Sequence, residues 1–255
     1  MNITQLYAYL ENKIPRELSC SWDNDGLMCC PDREAEVRRV LVALDVTGAV
    51  AEKAIREGYD LIVSHHPMIF SPLRALDPAD HVAKKAIDLL RAGVSVMSFH
   101  TRLDAVHGGV NDVLAEKLGL ENIRPFGEGG EEIGRIGEVP VPLTLGEFAA
   151  TVKQVAGAGK VQVVSAGKNV RVVAVLGGSG SDDVKAAKAA GADTYVSGEL
   201  KHSYLTDAPD VGINLIAAGH FHTEHPVCER LAEWIGQALP EAIVTVVSSD
   251  PVECI

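Results

Sequence analysis

The amino-acid sequence predicts an α/β protein in which mainly parallel sheets are covered by helices. Two observations support this class: Val/Ile/Leu runs alternate with Ala/Glu/Lys-rich segments, and a segment of the first half recurs in the second. Alternating strands and helices indicate parallel sheets, because a parallel strand pair needs a long crossover connection. The recurrence predicts two related lobes that each contain a βαβ unit.

The first half of the chain shows the alternation most clearly. Apolar runs of strand length are separated by segments with the spacing of amphipathic helices. The predicted strands are 40–45, 60–64 and 94–98. The predicted helices are 48–57, 81–92 and 111–118.

The recurrence indicates a duplicated βαβ unit. Residues 37–66 align without a gap on residues 170–199, with nine identities in thirty pairs, among them Gly58 with Gly191 and Asp60 with Asp193. This alignment covers two strands, the helix between them and a turn, as expected for an internal repeat.

The repeat also sets the predicted lobes. A His-x3-carboxylate pattern closes the corresponding part of each half, first in 100–104 and again in 220–224. The predicted lobes are 1–125 and 170–255, with elements allowed to be shared between them, and 126–169 is a connecting module. Within this module, 127–134 is predicted to be a turn-rich connection, 146–155 a helix and 161–164 a strand.

Composition excludes several classes of protein. The 255 residues are 47% hydrophobic and carry a formal charge of −12, which disfavours disorder and direct nucleic-acid binding. Five cysteines without a CxxC pair resemble neither a disulfide framework nor a thiolate zinc site, and Cys29 and Cys30 are expected to be small buried residues. The sequence shows no signal peptide and no membrane span, so a cytoplasmic location is expected.

Two adjacent histidines end the second predicted strand. In the segment 60–70, His65 and His66 follow an apolar run and precede Pro67. Adjacent side chains in a strand point to opposite faces, but a bend at its end lets both imidazoles reach metal. The alternative is a hydrogen-bonded turn.

Two further motifs also leave predicted strands. His100 and Asp104 are four residues apart, as are His220 and Glu224, so one helical turn places each pair on one side. Taken alone, each pair also fits a capped turn. His222 and His225 are expected either to contact the ligand side chains without binding metal themselves or to face solvent.

Taken together, the motifs predict a metal site in a cleft between the lobes. Imidazole with carboxylate suits Zn, Fe, Mn or Ni, and six ligands suit two divalent ions per subunit. The predicted ligands are His65, His66, His100, Asp104, His220 and Glu224. No catalytic residue is assigned, although Glu199, which aligns with His66 in the repeat, is a candidate for proton transfer.

The chain resembles the Nif-three-like proteins, often called GTP cyclohydrolase I type 2 homologs. The resemblance covers nearly the whole chain and depends on SWDNDGL, DLIVSHHPMIF, HTRLDAVHGGVND, VAVLGGSG and AAGHFHTE. It implies a two-lobed α/β chain, a dinuclear metal site on the same six residues and a toroidal homohexamer. Arg102, His222 and the position of His202 depart from the usual pattern, which affects the expected substrate preference.

Two motifs keep alternative interpretations. Trp22 either lines the pocket or covers the core. The glycine-rich segment 177–183 is either a phosphate cradle or a tight strand-to-helix turn, and it lacks the Lys-Ser/Thr of a P-loop.

Two functions of different classes remain. The first is a metal-dependent hydrolase acting on a nucleotide or another phosphorylated small molecule. The second is a toroidal metal-binding scaffold or regulatory protein without catalysis. A calcineurin-like phosphoesterase is disfavoured, because the first strand is not followed by the D-x-H motif of that superfamily.

Overall fold

A computed structural model of the chain describes residues 1–128, 131–248, 250 and 252, without the side chains of Glu128 and Glu131. The chain forms two compact units. The first contains residues 1–103 and 228–248, and the second contains residues 104–227. These units do not coincide with the predicted lobes, because the C-terminal helix and strand belong to the first unit; the lobes stay a prediction about duplication.

The first unit contains a five-stranded sheet in the order β1-β4-β3-β2-β11. Strands β4, β3, β2 and β11 are parallel, and β1 pairs antiparallel with β4. The strands are β1 (Gly26–Cys29), β2 (Arg39–Ala43), β3 (Leu61–Ser64), β4 (Ser95–Ser98) and β11 (Ile243–Val247). The helices are α1 (Ile3–Lys13), α2 (Gly48–Glu57), α3 (His81–Ala92), the start of α4 (Thr101–Ala105) and most of α10 (Val227–Ala238).

The second unit contains a six-stranded sheet in the order β5-β6-β8-β9-β10-β7. Its strands are β5 (Glu121–Glu128), β6 (Glu131–Leu143), β7 (Gln162–Val164), β8 (Val170–Ser179), β9 (Thr194–Glu199) and β10 (Asn214–Ala217). Its helices are α5 (Val110–Lys117), α6 (Leu145–Ala156), α7 (Val184–Ala189), α8 (His202–Val211) and α9 (His220–Glu224). Only β8, β9 and β10 are mutually parallel. The prediction of mainly parallel sheets is therefore correct for the first sheet, whereas the second is mixed.

The antiparallel part of the second sheet includes the segment predicted as a turn-rich connection. Strands β5 and β6 pair with each other, and residues 129–130 of the predicted turn lie outside the described residues. Gly134 lies opposite Phe126, and a Cβ at this glycine would approach the Phe126 ring to 2.3 Å. The glycines that suggested a turn thus include one that makes room for an aromatic ring across the strand pair.

The helices begin and end where local chemistry dictates. Helix α2 starts after Thr47, whose side chain accepts a hydrogen bond from the Val50 amide, and it ends at Gly58 with φ of 66°. A short hydroxyl side chain satisfies an amide of the first turn, and glycine adopts the left-handed conformation with little strain. Helices α2 and α3 have the predicted bounds for these reasons.

Alternating residues of the central strands face separate cores. In the second unit, Val173 and Val175 pack in a cluster with α5 and α6, whereas Ala174 and Leu176 pack in a cluster with α7 and α8. This alternation follows from the two-residue period of a strand. Both faces of the parallel strands are buried, which explains their nearly continuous apolar sequence.

The two βαβ units have matching register. Strand β2 pairs Val40 with Leu61 of β3, and β8 pairs Val173 with Thr194 of β9, which is the same pairing 133 positions further along the chain. In each unit an aspartate side chain accepts from two backbone amides at the start of the first strand: Asp60 from residues 38 and 39, and Asp193 from residues 171 and 172. These equivalent contacts support the predicted duplication.

Two further sequence expectations concern the cysteines and the membrane. Cys29 is buried and its burial raises the pKa of the thiol to about 11, which suits a packing role; Cys254 lies outside the described residues. Within the described part of the chain, no helix combines the length and apolar character that crossing a bilayer requires.

Candidate metal centre

Three histidines of the first unit meet at the carboxyl ends of two neighbouring parallel strands. His65 and His66 follow β3, and His100 follows β4. Each offers a ring nitrogen, and these three atoms lie within 4.8 Å of one another. Ligands of α/β proteins commonly bind at this edge of a sheet.

The chain bends after β3, so that adjacent histidines share one side. Ser64 Oγ donates to the His66 carbonyl at 2.8 Å, and the ring centroids of His65 and His66 are 4.9 Å apart. In a regular strand the two rings would face opposite sides of the sheet. The bend at the strand end therefore makes a paired-histidine site possible.

Each imidazole of this triad is held through Nδ1. The contacts are His65 Nδ1 with the Phe99 carbonyl at 2.9 Å, His66 Nδ1 with Asp45 Oδ1 at 2.8 Å, and His100 Nδ1 with Asp23 Oδ1 at 2.9 Å. Because these partners are acceptors, each neutral ring carries its proton on Nδ1 and keeps a lone pair on Nε2. Metal-binding histidines have this arrangement in many proteins.

Asp23 is the most constrained of these partners. Its side chain is buried, and its second oxygen accepts from the Thr101 amide at 3.0 Å and the Thr101 hydroxyl at 2.6 Å. Burial by itself would raise the pKa of Asp23, but the hydrogen bonds with His100 and Thr101 outweigh it and lower the pKa below its ordinary value. Asp23 is therefore ionised at neutral pH and fixes the His100 ring.

Replacing Asp23 with asparagine is expected to weaken binding of a divalent metal by about 10- to 100-fold, because the ring loses its charged anchor. Isothermal titration of the metal-free protein with Zn²⁺ measures this change. Asp60→Asn is the matched control, since Asp60 also accepts from two backbone amides but at the opposite end of β3. Equal zinc affinities in both variants would contradict an anchoring role for Asp23.

The second unit brings together the remaining predicted ligands. His220 and Glu224 lie on α9, directly after β10, with His220 Nε2 at 3.1 Å from Glu224 Oε2. Asp104 and Glu224 offer oxygen atoms within 4.8 Å of each other. Glu224 is buried, so a cation beside it would gain from the low local dielectric.

Glycines of the second sheet make room for these ligands. A Cβ at Gly178 would lie 2.1 Å from Glu224 Oε1, and one at Gly198 would lie 2.8 Å from the His220 Cα. The amides of Gly177, Gly178 and Gly180 are already bonded to side chains of Asn111, Thr223 and Ser197. The glycine-rich segment therefore forms a close-packed strand end beside Glu224, in which these three amides are already engaged.

Replacing Gly178 with alanine is expected to destabilise the protein by about 1–2 kcal/mol through its φ of 65°, and also to displace Glu224. Gly58→Ala is the matched control, because Gly58 has a φ of 66° with nothing within 4 Å of the added Cβ. Urea unfolding should therefore show a loss of stability in both variants that is larger in Gly178→Ala, whose Cβ also collides with Glu224. Zinc titration should show weaker binding for Gly178→Ala alone. Unchanged zinc affinity in Gly178→Ala would refute the packing argument.

Other residues singled out in the sequence occupy different positions. Trp22 does not cover the core, because 60% of its surface is exposed. Glu199 is exposed at the end of β9, with Oε1 3.5 Å from His220 Nδ1. The His225 ring stacks on Phe221, with ring centroids 4.6 Å apart.

The sequence reasoning missed Asp23 and Asp45. Both are far from the histidines they hold, at 77 and 21 positions. The segment 22–24, which contains Asp23, was considered only for its tryptophan. The carboxylate beside this tryptophan was the signal that could have identified Asp23.

The donors fit a borderline divalent cation. Three imidazoles with the proton on Nδ1 present three Nε2 lone pairs within one unit, and Zn, Fe, Mn and Ni accept such ligands. The fold and this triad define an α/β protein with a candidate metal centre.

Comparisons with known proteins show which family the chain resembles. A model of the Duf34/NIF3 family (NGG1p interacting factor 3) matches residues 1–252. A protein named GTP cyclohydrolase 1 type 2 homolog from Nostoc sp. is 37% identical over 220 residues, covering 84% of this chain and 81% of its own. A Protein NIF3 homolog from Schizosaccharomyces pombe is 33% identical over 267 residues, covering 97% and 95%. The crystal structure of the hypothetical protein SA1388 from Staphylococcus aureus is similar with a TM-score of 0.90 and 28% identity, covering 100% of this chain and 99% of that one.

The chain belongs to the Duf34/NIF3 family. The resemblance seen in the sequence motifs is thereby confirmed.

Proposed function

We propose that this protein binds two divalent metal ions and acts as a metal-dependent hydrolase of the GTP cyclohydrolase 1 type 2 homolog kind. The observation that carries this proposal is the histidine triad, in which every Nδ1 is held by an acceptor, so that the lone pair of each neutral ring lies on Nε2. Such anchoring orients and strengthens metal ligands.

The proposed ligands are the three triad histidines together with the two carboxylates and the one histidine of the second unit. Six ligands exceed the three protein ligands of a single catalytic zinc, so a pair of ions sharing carboxylates fits better. Imidazoles and carboxylates together favour Zn, Fe, Mn or Ni over Ca or Mg. The proposed ligands are His65, His66, His100, Asp104, His220 and Glu224.

The residues of the chain would have distinct tasks in hydrolysis. Bound divalent ions supply Lewis acidity, which makes water a better nucleophile and polarises a carbonyl or phosphoryl oxygen. Asp23 and Asp45 keep the imidazoles in one tautomer and one orientation. Glu199 is our candidate for moving a proton, since its carboxylate is exposed yet lies 3.5 Å from a ring nitrogen of His220.

The proposal extends to the internal duplication of the chain, its oligomeric state, its location and its substrate. The matching registers of the two βαβ units support descent from one duplicated unit, with the metal site in the cleft between two related lobes. Family membership supports a toroidal homohexamer and a cytoplasmic location. The names of the relatives suggest a nucleotide as substrate, with GTP the first to test.

The test is turnover by protein stripped of metal and then reconstituted with Zn²⁺, Mn²⁺, Fe²⁺ or Ni²⁺. Loss of guanine absorbance reports hydrolytic opening of the guanine ring of GTP. A panel of other nucleotides and phosphoesters tests for turnover of other substrates. We expect turnover only with metal, and loss of it in His65→Ala and Glu224→Gln. His81→Ala and Glu229→Gln, which change exposed residues, are the matched controls.

Two results would decide against catalysis. If fully loaded protein turns over none of these compounds, the hydrolase proposal fails. If metal removal in the same samples also dissociates the oligomer in sedimentation, the metals belong to a scaffold instead.

A further inference from the structure

Two aromatic side chains of the first unit are unusually exposed. Trp22 and Phe70 are 60% and 54% exposed, whereas the other tryptophan and the other phenylalanines are buried or half-buried. The rings lie edge to face with centroids 6.3 Å apart. We call these two side chains the aromatic pair. Grouped exposed aromatic rings usually mark a place where something binds.

The aromatic pair adjoins the histidine triad. Each ring centroid lies 6.1 Å from the centroid of the His100 ring. A molecule that rests on the pair therefore reaches the imidazole of a proposed metal ligand. This places the pair where the reacting part of a substrate would be.

The loops that carry the pair are fixed to each other and to His100. Asn24 Nδ2 donates to the Ile69 carbonyl at 2.6 Å, which ties the segment after Trp22 to the segment before Phe70. Asp23, the neighbour of Trp22, holds His100 Nδ1. The loops that carry the two rings are thus held by hydrogen bonds that also orient His100. Loops that are already held in place lose less entropy when a molecule binds to them.

We propose that the aromatic pair binds a planar heteroaromatic ring of the substrate by stacking, next to the metal centre. This inference rests on the proposed function and names the substrate class of the same site. Aromatic side chains stack on flat heteroaromatic rings largely regardless of the substituents that these rings carry. Two side chains offer far less than the roughly 800 Å² that each partner of a stable protein complex buries, which favours a small molecule over a second protein.

Binding of nucleoside monophosphates to the zinc-loaded full-length protein tests the proposal. The probes are GMP, AMP and UMP, and ribose 5-phosphate serves as a probe that keeps the sugar and phosphate but lacks the ring. The variant Trp234→Phe leaves Trp22 as the sole tryptophan, so that its fluorescence reports stacking. We expect at least one nucleotide to quench Trp22, and ribose 5-phosphate not to.

Substitutions then separate ring recognition from other effects. Trp22→Ala should weaken nucleotide binding by about 10-fold or more and leave ribose 5-phosphate binding unchanged, whereas Trp22→Phe should retain most of the affinity. Phe70→Leu should cause a smaller loss. Leu76→Ala removes an equally exposed apolar side chain of the same unit and should have no effect.

Three outcomes would overturn the proposal. The first is absence of Trp22 quenching by all three nucleotides, and the second is an equal loss of ribose 5-phosphate and nucleotide affinity in Trp22→Ala. The third is a changed sedimentation coefficient of Trp22→Ala with normal nucleotide affinity, which would assign the pair to a subunit contact. Metal content is measured on the same samples. Full metal occupancy without ring binding refutes this inference alone. Failure to bind any of Zn²⁺, Mn²⁺, Fe²⁺ or Ni²⁺ refutes the proposed function.

Discussion

Replacing His66 with alanine is expected to weaken divalent-metal binding by more than about 100-fold. Loss of a residue that merely orients a ligand already costs about 10- to 100-fold, so loss of the ligand itself should cost more. His66 is suited to this test, because its side chain is 21% exposed and its ring is anchored by Asp45 rather than by the core. Competition with a chromogenic zinc chelator measures the affinity.

His81→Ala is the control for this substitution. His81 is an exposed histidine of the same unit, at the first residue of α3. Its removal should leave zinc affinity unchanged, and circular dichroism should show that both variants are folded. Wild-type affinity in His66→Ala would remove this residue from the proposed ligand set.

Replacing Arg102 with alanine should produce the largest loss of stability, about 3–5 kcal/mol, because it removes the guanidinium that bonds directly to the buried Asp25 carboxylate. The guanidinium is fully buried and donates to Asp25 Oδ2 at 2.8 Å and to Glu11 Oε1 at 2.7 Å. It also lies over the Phe99 ring at 4.7 Å. The Asp25 side chain is only 1% exposed, so water cannot replace the lost contacts. Urea unfolding of the metal-free protein measures the change.

An exposed ion pair provides the comparison. Arg38 pairs with Glu36 at 2.6 Å, but their side chains are 76% and 60% exposed. Surface pairs of this kind contribute little to stability, because water and salt screen the two charges. If Arg102→Ala cost no more than Arg38→Ala, the buried network would not stabilise the first unit.

Local sequence signals predicted much of the fold. Helices α2 and α3 were predicted with their observed bounds, since caps and amphipathic spacing are local properties. Strand β11 was not predicted, although its sequence IVTVV favours a strand. Its place in the first sheet could not be predicted, because its partner, β2, lies about 200 positions earlier in the chain. Contacts over such distances, including Tyr59 Oη with Thr245 Oγ1 at 3.0 Å, leave no local trace.

The same distinction explains what could be predicted of the site. Histidines at strand ends are visible in the sequence, and the structure brings His65, His66 and His100 together. The acceptors that fix their tautomers are not visible, since an aspartate in a loop gives no sign of the ring it will meet. The glycines at 177 and 178 were recognised as special, but only the fold shows that they make room for Glu224.

Anomalous diffraction from crystals of protein purified without chelators tests the central claim most directly. We predict two anomalous peaks per chain, one of them about 2.0–2.1 Å from the Nε2 atoms of triad histidines, if the metal is zinc. An absence of any peak beside His65, His66 and His100 in metal-supplemented crystals would contradict the account.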